Sequence, residues 1–135
     1  MYRSILVAMA LDHDLSPGTL ALARALLAPE GRITALHVLP EPMGSATARL
    51  GEEFIKRGRA RAESLFQEKL RPFPEAEAVL TIGHTSRTIL EEAEKRAADC
   101  IVLGSHRPGL ADYLLGSTAG RVVRHASCSV HVYRG

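Results

Sequence analysis

The chain has 135 residues, 46% apolar and 24% charged, the balance of an ordinary globular domain with one core. No apolar run approaches the roughly 18 residues of a membrane helix, and a formal charge of +2 is too small to argue for a nucleic-acid partner. Cys100 and Cys128 form no disulfide framework or metal-spaced cluster and are read as structural thiols, and the run from Met1 to Ala8 is too short for a secretory signal, which predicts a cytoplasmic location.

Short β-branched runs alternate with amphipathic stretches along the chain, the pattern of βαβ units feeding a parallel sheet. The first strand is expected over Ser4 to Met9. Ser16-Pro17 then supplies an N-cap and a first-turn proline for a helix whose Leu22, Ala23, Leu26 and Leu27 recur at helical spacing, and Pro29-Glu30-Gly31 is expected to end it. The second strand is expected over Arg32 to Leu39.

A second helix is expected from Gly51 to Leu70, with an apolar stripe of Ile55, Ala62, Leu65, Phe66 and Leu70 and a stop at Arg71-Pro72. Its basic cluster, Lys56, Arg57, Arg59 and Arg61, reads as a solvated surface, because Glu52 can face Lys56 and Glu53 can face Arg57 four residues on. The third strand is expected over Ala78 to Ile82, followed by a helix capped by Thr85 or Ser86 and carrying Ile89, Leu90, Ala93 and Ala97 on its buried stripe. Cys100 to Leu103 forms the fourth expected strand. The last helix starts near Ser117, with Ala119, Val122, Val123 and Ala126 inward, and the last strand covers Ser129 to Tyr133. Val130 and Val132 alternate there with His131 and Tyr133, as on an edge that needs covering. No linker interrupts the pattern, so residues 1–135 read as one domain.

In a doubly wound sheet, ligands bind outside the carboxyl ends of the strands, where strand order reverses. The loop after the fourth strand runs from Gly104 to Thr118 and ends where a helix should begin. The first amides of a helix lack intrahelical acceptors and carry the positive end of its dipole, so they suit a phosphate. Gly116 lets a ligand approach the backbone, Ser117 and Thr118 add hydroxyls, and Gly104 clears space at the strand end. The alternative is that the glycines are turn residues and Ser117 is an N-cap. Gly104 and Gly109 have the spacing that opens a Walker A loop, but Leu110 and Ala111 stand where Lys and a hydroxyl residue are required. His106 lies in the same loop and is read equally as a phosphate contact or a turn residue. None of the six histidines has metal-site spacing, no metal is expected, and no catalytic nucleophile, base and orienter can be assembled.

The segments Gly104-Ser105-His106, Leu114-Leu115-Gly116-Ser117, Val122-Val123-Arg124-His125-Ala126 and Cys128 together resemble the C-terminal signature of universal stress proteins. Ile5-Leu6-Val7-Ala8, Leu36-His37-Val38 and the Gly83 that precedes a capped helix resemble the same family in order and spacing. The resemblance implies a Rossmann-like α/β fold with a five-stranded parallel sheet of order 3-2-1-4-5 and helices on both faces, paired into a homodimer through the last strand. It also implies a stress-response or signalling role, with ATP bound in one branch, with or without magnesium, and at most slow hydrolysis. In that branch Val38 would hold the adenine through its backbone and Leu103 would line the slot; for both, core packing is the alternative.

Gly104, Gly116 and Ser117 match the branch's phosphate loop, whereas Arg107 occupies its second glycine position and the loop is one residue shorter. The arginine either blocks a triphosphate or supplies a bidentate contact to it. Ala10 stands where that branch carries an aspartate, and Asp12 substitutes only if the loop folds back. These departures motivate the second reading, a dimeric interaction module that binds no nucleotide.

Overall fold

The structure is a computed structural model that describes residues 1–11, 16–41, 48–105 and 115–135. Its central strand, β1 (Tyr2–Ala8), is apolar on both faces because helices cover both: Ile5, Leu6 and Val7 are all fully buried. β2 (Leu27–Leu39) and β4 (Cys100–Gly104) flank it, β3 (Ala76–Ile82) lies outside β2, and β5 (Ser129–Tyr133) lies outside β4. All neighbours are parallel, in the order β3-β2-β1-β4-β5. This is the expected doubly wound sheet.

Four helices complete the described residues: α1 (Ser16–Leu26), α2 (Ala48–Leu70), α3 (Thr85–Lys95) and α4 (Ser117–His125). Side chains alternate along the strands, so the core divides into two clusters. On one face Ile5, Val7, Ile33, Ala35, Cys100 and Val102 meet Leu20 and Ala23 of α1 and Ala62 and Phe66 of α2. On the other, Leu6, Leu36, Val38, Ile101 and Leu103 meet Ile89 and Ala93 of α3 and Ala119 and Val122 of α4. Each large side chain buried in this way stabilises the fold by about 1.5–3 kcal/mol.

Several local expectations are corrected. β2 begins at Leu27 rather than Arg32, because Pro29-Glu30-Gly31 interrupts the ladder without ending it: the register slips between the Tyr2–Leu27 and Ser4–Arg32 pairs. Glu30 takes a left-handed φ of 66° there, and a Cβ on Gly31 would meet the Ala28 carbonyl oxygen at 2.9 Å. The cap of α3 is His84, whose Nδ1 accepts the Arg87 amide at 3.5 Å, while Ser86 is buried within the first turn. Ala97 lies beyond α3, exposed and with a left-handed φ of 52°. Val123 is 46% exposed, because α4 fully buries only Ala119 and Val122, while Ala126, at its C-cap, packs inward against the same cluster as expected.

Candidate functional site

The ends of β1, β2 and β4 open into a cleft of about 760 Å³. Its floor is laid by the residues that leave the strands: Met9 and Ala10 after β1, His37 and Val38 of β2, and Leu103, Gly104 and Ser105 at β4. The chain crosses to opposite sides of β1 from β2 and β4, so the cleft sits where the strand order reverses. One wall is α2, through Gly58, Arg61 and Leu65; the other is the start of α4, through Gly116, Ser117 and Thr118.

Hydrogen bonds hold the floor together. The Met9 amide donates to the Leu36 carbonyl at 2.8 Å, and the Gly83 amide donates to Leu39 at 3.0 Å. His37 Nδ1 lies 2.7 Å from the Met9 carbonyl oxygen. A carbonyl can only accept, so Nδ1 carries the proton and Nε2 of the neutral ring holds a lone pair. The edge of the imidazole meets Phe66, with centroids 6.3 Å apart and planes at 85°. At β4, Ser105 donates its amide to the Tyr133 carbonyl at 2.9 Å and accepts the Gly116 amide on its own carbonyl at 2.7 Å, which pins the two ends of the intervening loop together.

That pinning presents α4 to the cleft. Gly116 is its N-cap, with no side-chain capping bond, and the first intrahelical bond runs from the Gly120 amide to the Gly116 carbonyl at 2.9 Å. The amides of Ser117, Thr118 and Ala119 therefore have no carbonyl of α4 to donate to. Gly116 has φ −63° and ψ 159°, open to any residue, so what glycine contributes there is the missing side chain rather than a special conformation.

Among the described residues the lining of the cleft contains no Asp or Glu, and Arg61 is its only Lys or Arg. With the positive end of the α4 dipole at the opposite wall, the cleft favours an anion.

Ala10, Val38, Leu103, Gly104, Gly116, Ser117 and Thr118 all line this one cleft. Val38 and Leu103 also belong to the core cluster under α3 and α4, so their packing role is present beside their place in the lining. Asp12, His106 and Arg107 lie outside the described residues, as does most of the loop that holds the last two. Sequence reasoning missed Arg61, His37 and Thr85 as lining residues. For Arg61 a signal was present: no carboxylate stands three or four residues from it.

The cysteines lie away from the cleft. Burial, with smaller contributions from Cys128 and Asp99, pushes the Cys100 thiol up to about 11, and burial raises Cys128 as well, so both favour the protonated form. Among the described residues no group of three His, Cys, Asp or Glu is placed to hold a metal ion, and no helix is long and apolar enough to cross a membrane.

A five-stranded parallel sheet of order 3-2-1-4-5, helices on both faces and an anion-favouring cleft at the strand reversal define the class: a doubly wound, Rossmann-like α/β protein. The family model described as the universal stress protein family matches residues 1–134, and the chain belongs to that family. It is 30% identical over 151 residues to universal stress protein G of Salmonella typhimurium, covering 99% of this chain and 100% of that one. It is 33% identical over 141 residues to a Thermus aquaticus protein named "Universal stress protein in QAH/OAS sulfhydrylase 3'region", with 99% and 100% covered. Among solved structures, the universal stress protein UspA from Lactobacillus plantarum superposes with a TM-score of 0.84 at 24% identity, covering 97% of each chain. A universal stress protein in complex with cAMP gives 0.71 at 16%, covering 98% of this chain and 96% of that one. The Archaeoglobus fulgidus protein in complex with dAMP gives 0.61 at 23%, covering 97% of each.

Proposed function

We propose that this protein is a single-domain adenine-nucleotide-binding module of stress response or signalling, acting in the cytoplasm, with ATP as its first candidate ligand. The observation that carries the reading is the start of α4: an N-cap without a side chain and amides without intrahelical acceptors, turned into a cleft whose described lining contains no Asp or Glu. Phosphate oxygens would take the amides of Ser117 and Thr118, their hydroxyls would add donors, and Gly116 would let the chain of phosphates lie against the backbone. The base would lie over the ends of β1 and β2, near Ala10 and Val38. The cAMP and dAMP held by two structural neighbours support an adenine nucleotide as the class. Magnesium would arrive with the nucleotide, since the described lining offers it no carboxylate.

The test is to denature the purified protein and chromatograph what is released, alongside calorimetric titration with ATP, ADP and AMP. Released or titratable adenine nucleotide is expected. A protein that releases none and gives no heat with any of the three overturns the reading.

The second reading is a dimeric interaction module without nucleotide. Its support is β5, which pairs only with β4 among the described residues and leaves its other edge open, beside the exposed Val123 of α4. A homodimer through β5 is compatible with both readings, so sedimentation of the protein in its nucleotide-free and nucleotide-saturated forms separates them: a dimer that never takes up nucleotide is the module alone.

A further inference from the structure

The α2 wall carries a charge that the nucleotide reading does not use. Lys56 has Glu52 four residues before it, Arg57 has Glu53, and Arg59 pairs with Glu63, Nε to Oε1 at 3.5 Å. Arg61 stands apart from all three. Its neighbours at three and four residues are Gly58, Arg57, Ser64 and Leu65, and it makes no hydrogen bond or ion pair with any described residue. Instead it lines the cleft beside Gly58, where the missing side chain leaves the wall low.

Its position is set by the sheet. α2 packs on β2 and β3, whereas α4 packs on α3 and β5. α2 covers the sheet face that buries Ile5 and Val7 and α4 the face that buries Leu6 and Ile101, so the two walls rise from opposite faces of the sheet. The cleft therefore has an anion-favouring group on each of its two walls, the guanidinium of Arg61 and the amides of α4. A guanidinium with no ion pair among the described residues and a planar set of donors suits a phosphate taken bidentately.

We infer that Arg61 is a specificity-determining residue that selects nucleotides carrying a second anionic group, a phosphate on the ribose remote from the one held at α4. This inference rests on the nucleotide reading of the cleft and deepens it. It separates the ligand class into nucleotides with phosphate at one end and nucleotides with phosphate at both.

The experiment compares AMP with adenosine 3′,5′-bisphosphate and adenosine 2′,5′-bisphosphate by calorimetry, on the full chain and on Arg61→Gln and Arg61→Lys. At least one bisphosphate is expected to bind about 10- to 100-fold more tightly than AMP, the range of one charge-assisted contact. In Arg61→Gln that ratio is expected to fall to about one, and in Arg61→Lys, which keeps the charge and loses the fork, to stop partway. Circular dichroism melting of each variant confirms that the fold is retained, as it should be for an exposed helix position. If AMP binds but neither bisphosphate gains over it, or the gain survives Arg61→Gln, Arg61 is a solvated surface residue and only this inference falls. If the wild-type chain binds none of the three, the nucleotide reading and the inference fall together.

Discussion

At the edge where the five strands begin, Asp99, Arg24 and Arg96 are matched to partners within the fold, whereas at the edge where they end the described residues leave positive groups facing a cleft. At the first edge the Asp99 carboxylate accepts the amides of Arg3 at 2.9 Å and Ser4 at 3.0 Å, tying the entry of β4 to the entry of β1. Arg24 pairs with Glu75 at 2.6 Å, donates to the Pro72 carbonyl at 2.7 Å and lies 4.4 Å from the Phe73 ring centroid. Arg96 reaches Glu92 at 3.0 Å and Glu77 at 3.7 Å. The effect on titration is consistent: the hydrogen bond from Arg24 leads in lowering the Glu75 carboxyl. At Asp99, desolvation raises the pKa, but the Arg3 and Ser4 amides together pull it below the ordinary 3.8. The difference teaches which edge holds the fold and which is left to hold something else.

The sharpest way to break this comparison is to put an acid into the open edge. Gly116→Asp should weaken adenine-nucleotide binding at least about 100-fold, because it sets a carboxylate against phosphate at the α4 start. Aspartate is a good N-cap and φ there is permissive, so stability should hold or rise by a few tenths of a kcal/mol. Titration calorimetry and urea denaturation check the two halves; affinity kept in the variant would place the ligand elsewhere.

Next in size is the closed edge. Asp99→Ala should cost about 1 kcal/mol in urea denaturation, a modest value because the carboxylate is largely exposed, and should leave ligand affinity unchanged. Because its folded pKa is lowered, the Asp99 contribution is fully present above 3.8 and is lost as pH falls through the folded value. Wild type and Asp99→Ala should therefore converge in stability in strong acid, and a gap that persists there would mean that the carboxylate's charge is not what stabilises that edge.

The smallest effect tests α2, which carries both kinds of charge. Glu63→Gln removes the partner of Arg59 and should cost no more than about 0.5 kcal/mol, as exposed helix pairs do, with the bisphosphate-to-AMP affinity ratio intact. A collapse of that ratio would shift the assignment from Arg61 to the helix surface as a whole.

The placement of strands and helices follows from patterns that local physics writes plainly: buried parallel strands read as apolar runs, and Gly116 followed by two hydroxyl residues reads as a helix start. The resemblance supplied the order of the strands. β2 was read short because a proline, an acid and a glycine look like an ending, and only the ladder to β1 shows that the chain passes through them. Val123 was placed inward because helical periodicity does not say how wide a stripe a nine-residue helix will bury. Arg61 read as a solvated charge because its identity as a lining residue depends on how α2 docks against β2 and β3, which no local spacing encodes.

His37 has a use of its own. With Nδ1 committed to the Met9 carbonyl, its ring is a spectroscopic probe already installed in the floor of the cleft. In ¹⁵N-labelled protein the protonated and lone-pair nitrogens resonate far apart, so the tautomer can be assigned without any foreign label. A ligand that draws on Nε2 would move one resonance while the other stays anchored to the backbone, and occupancy could be followed atom by atom in the unmodified protein.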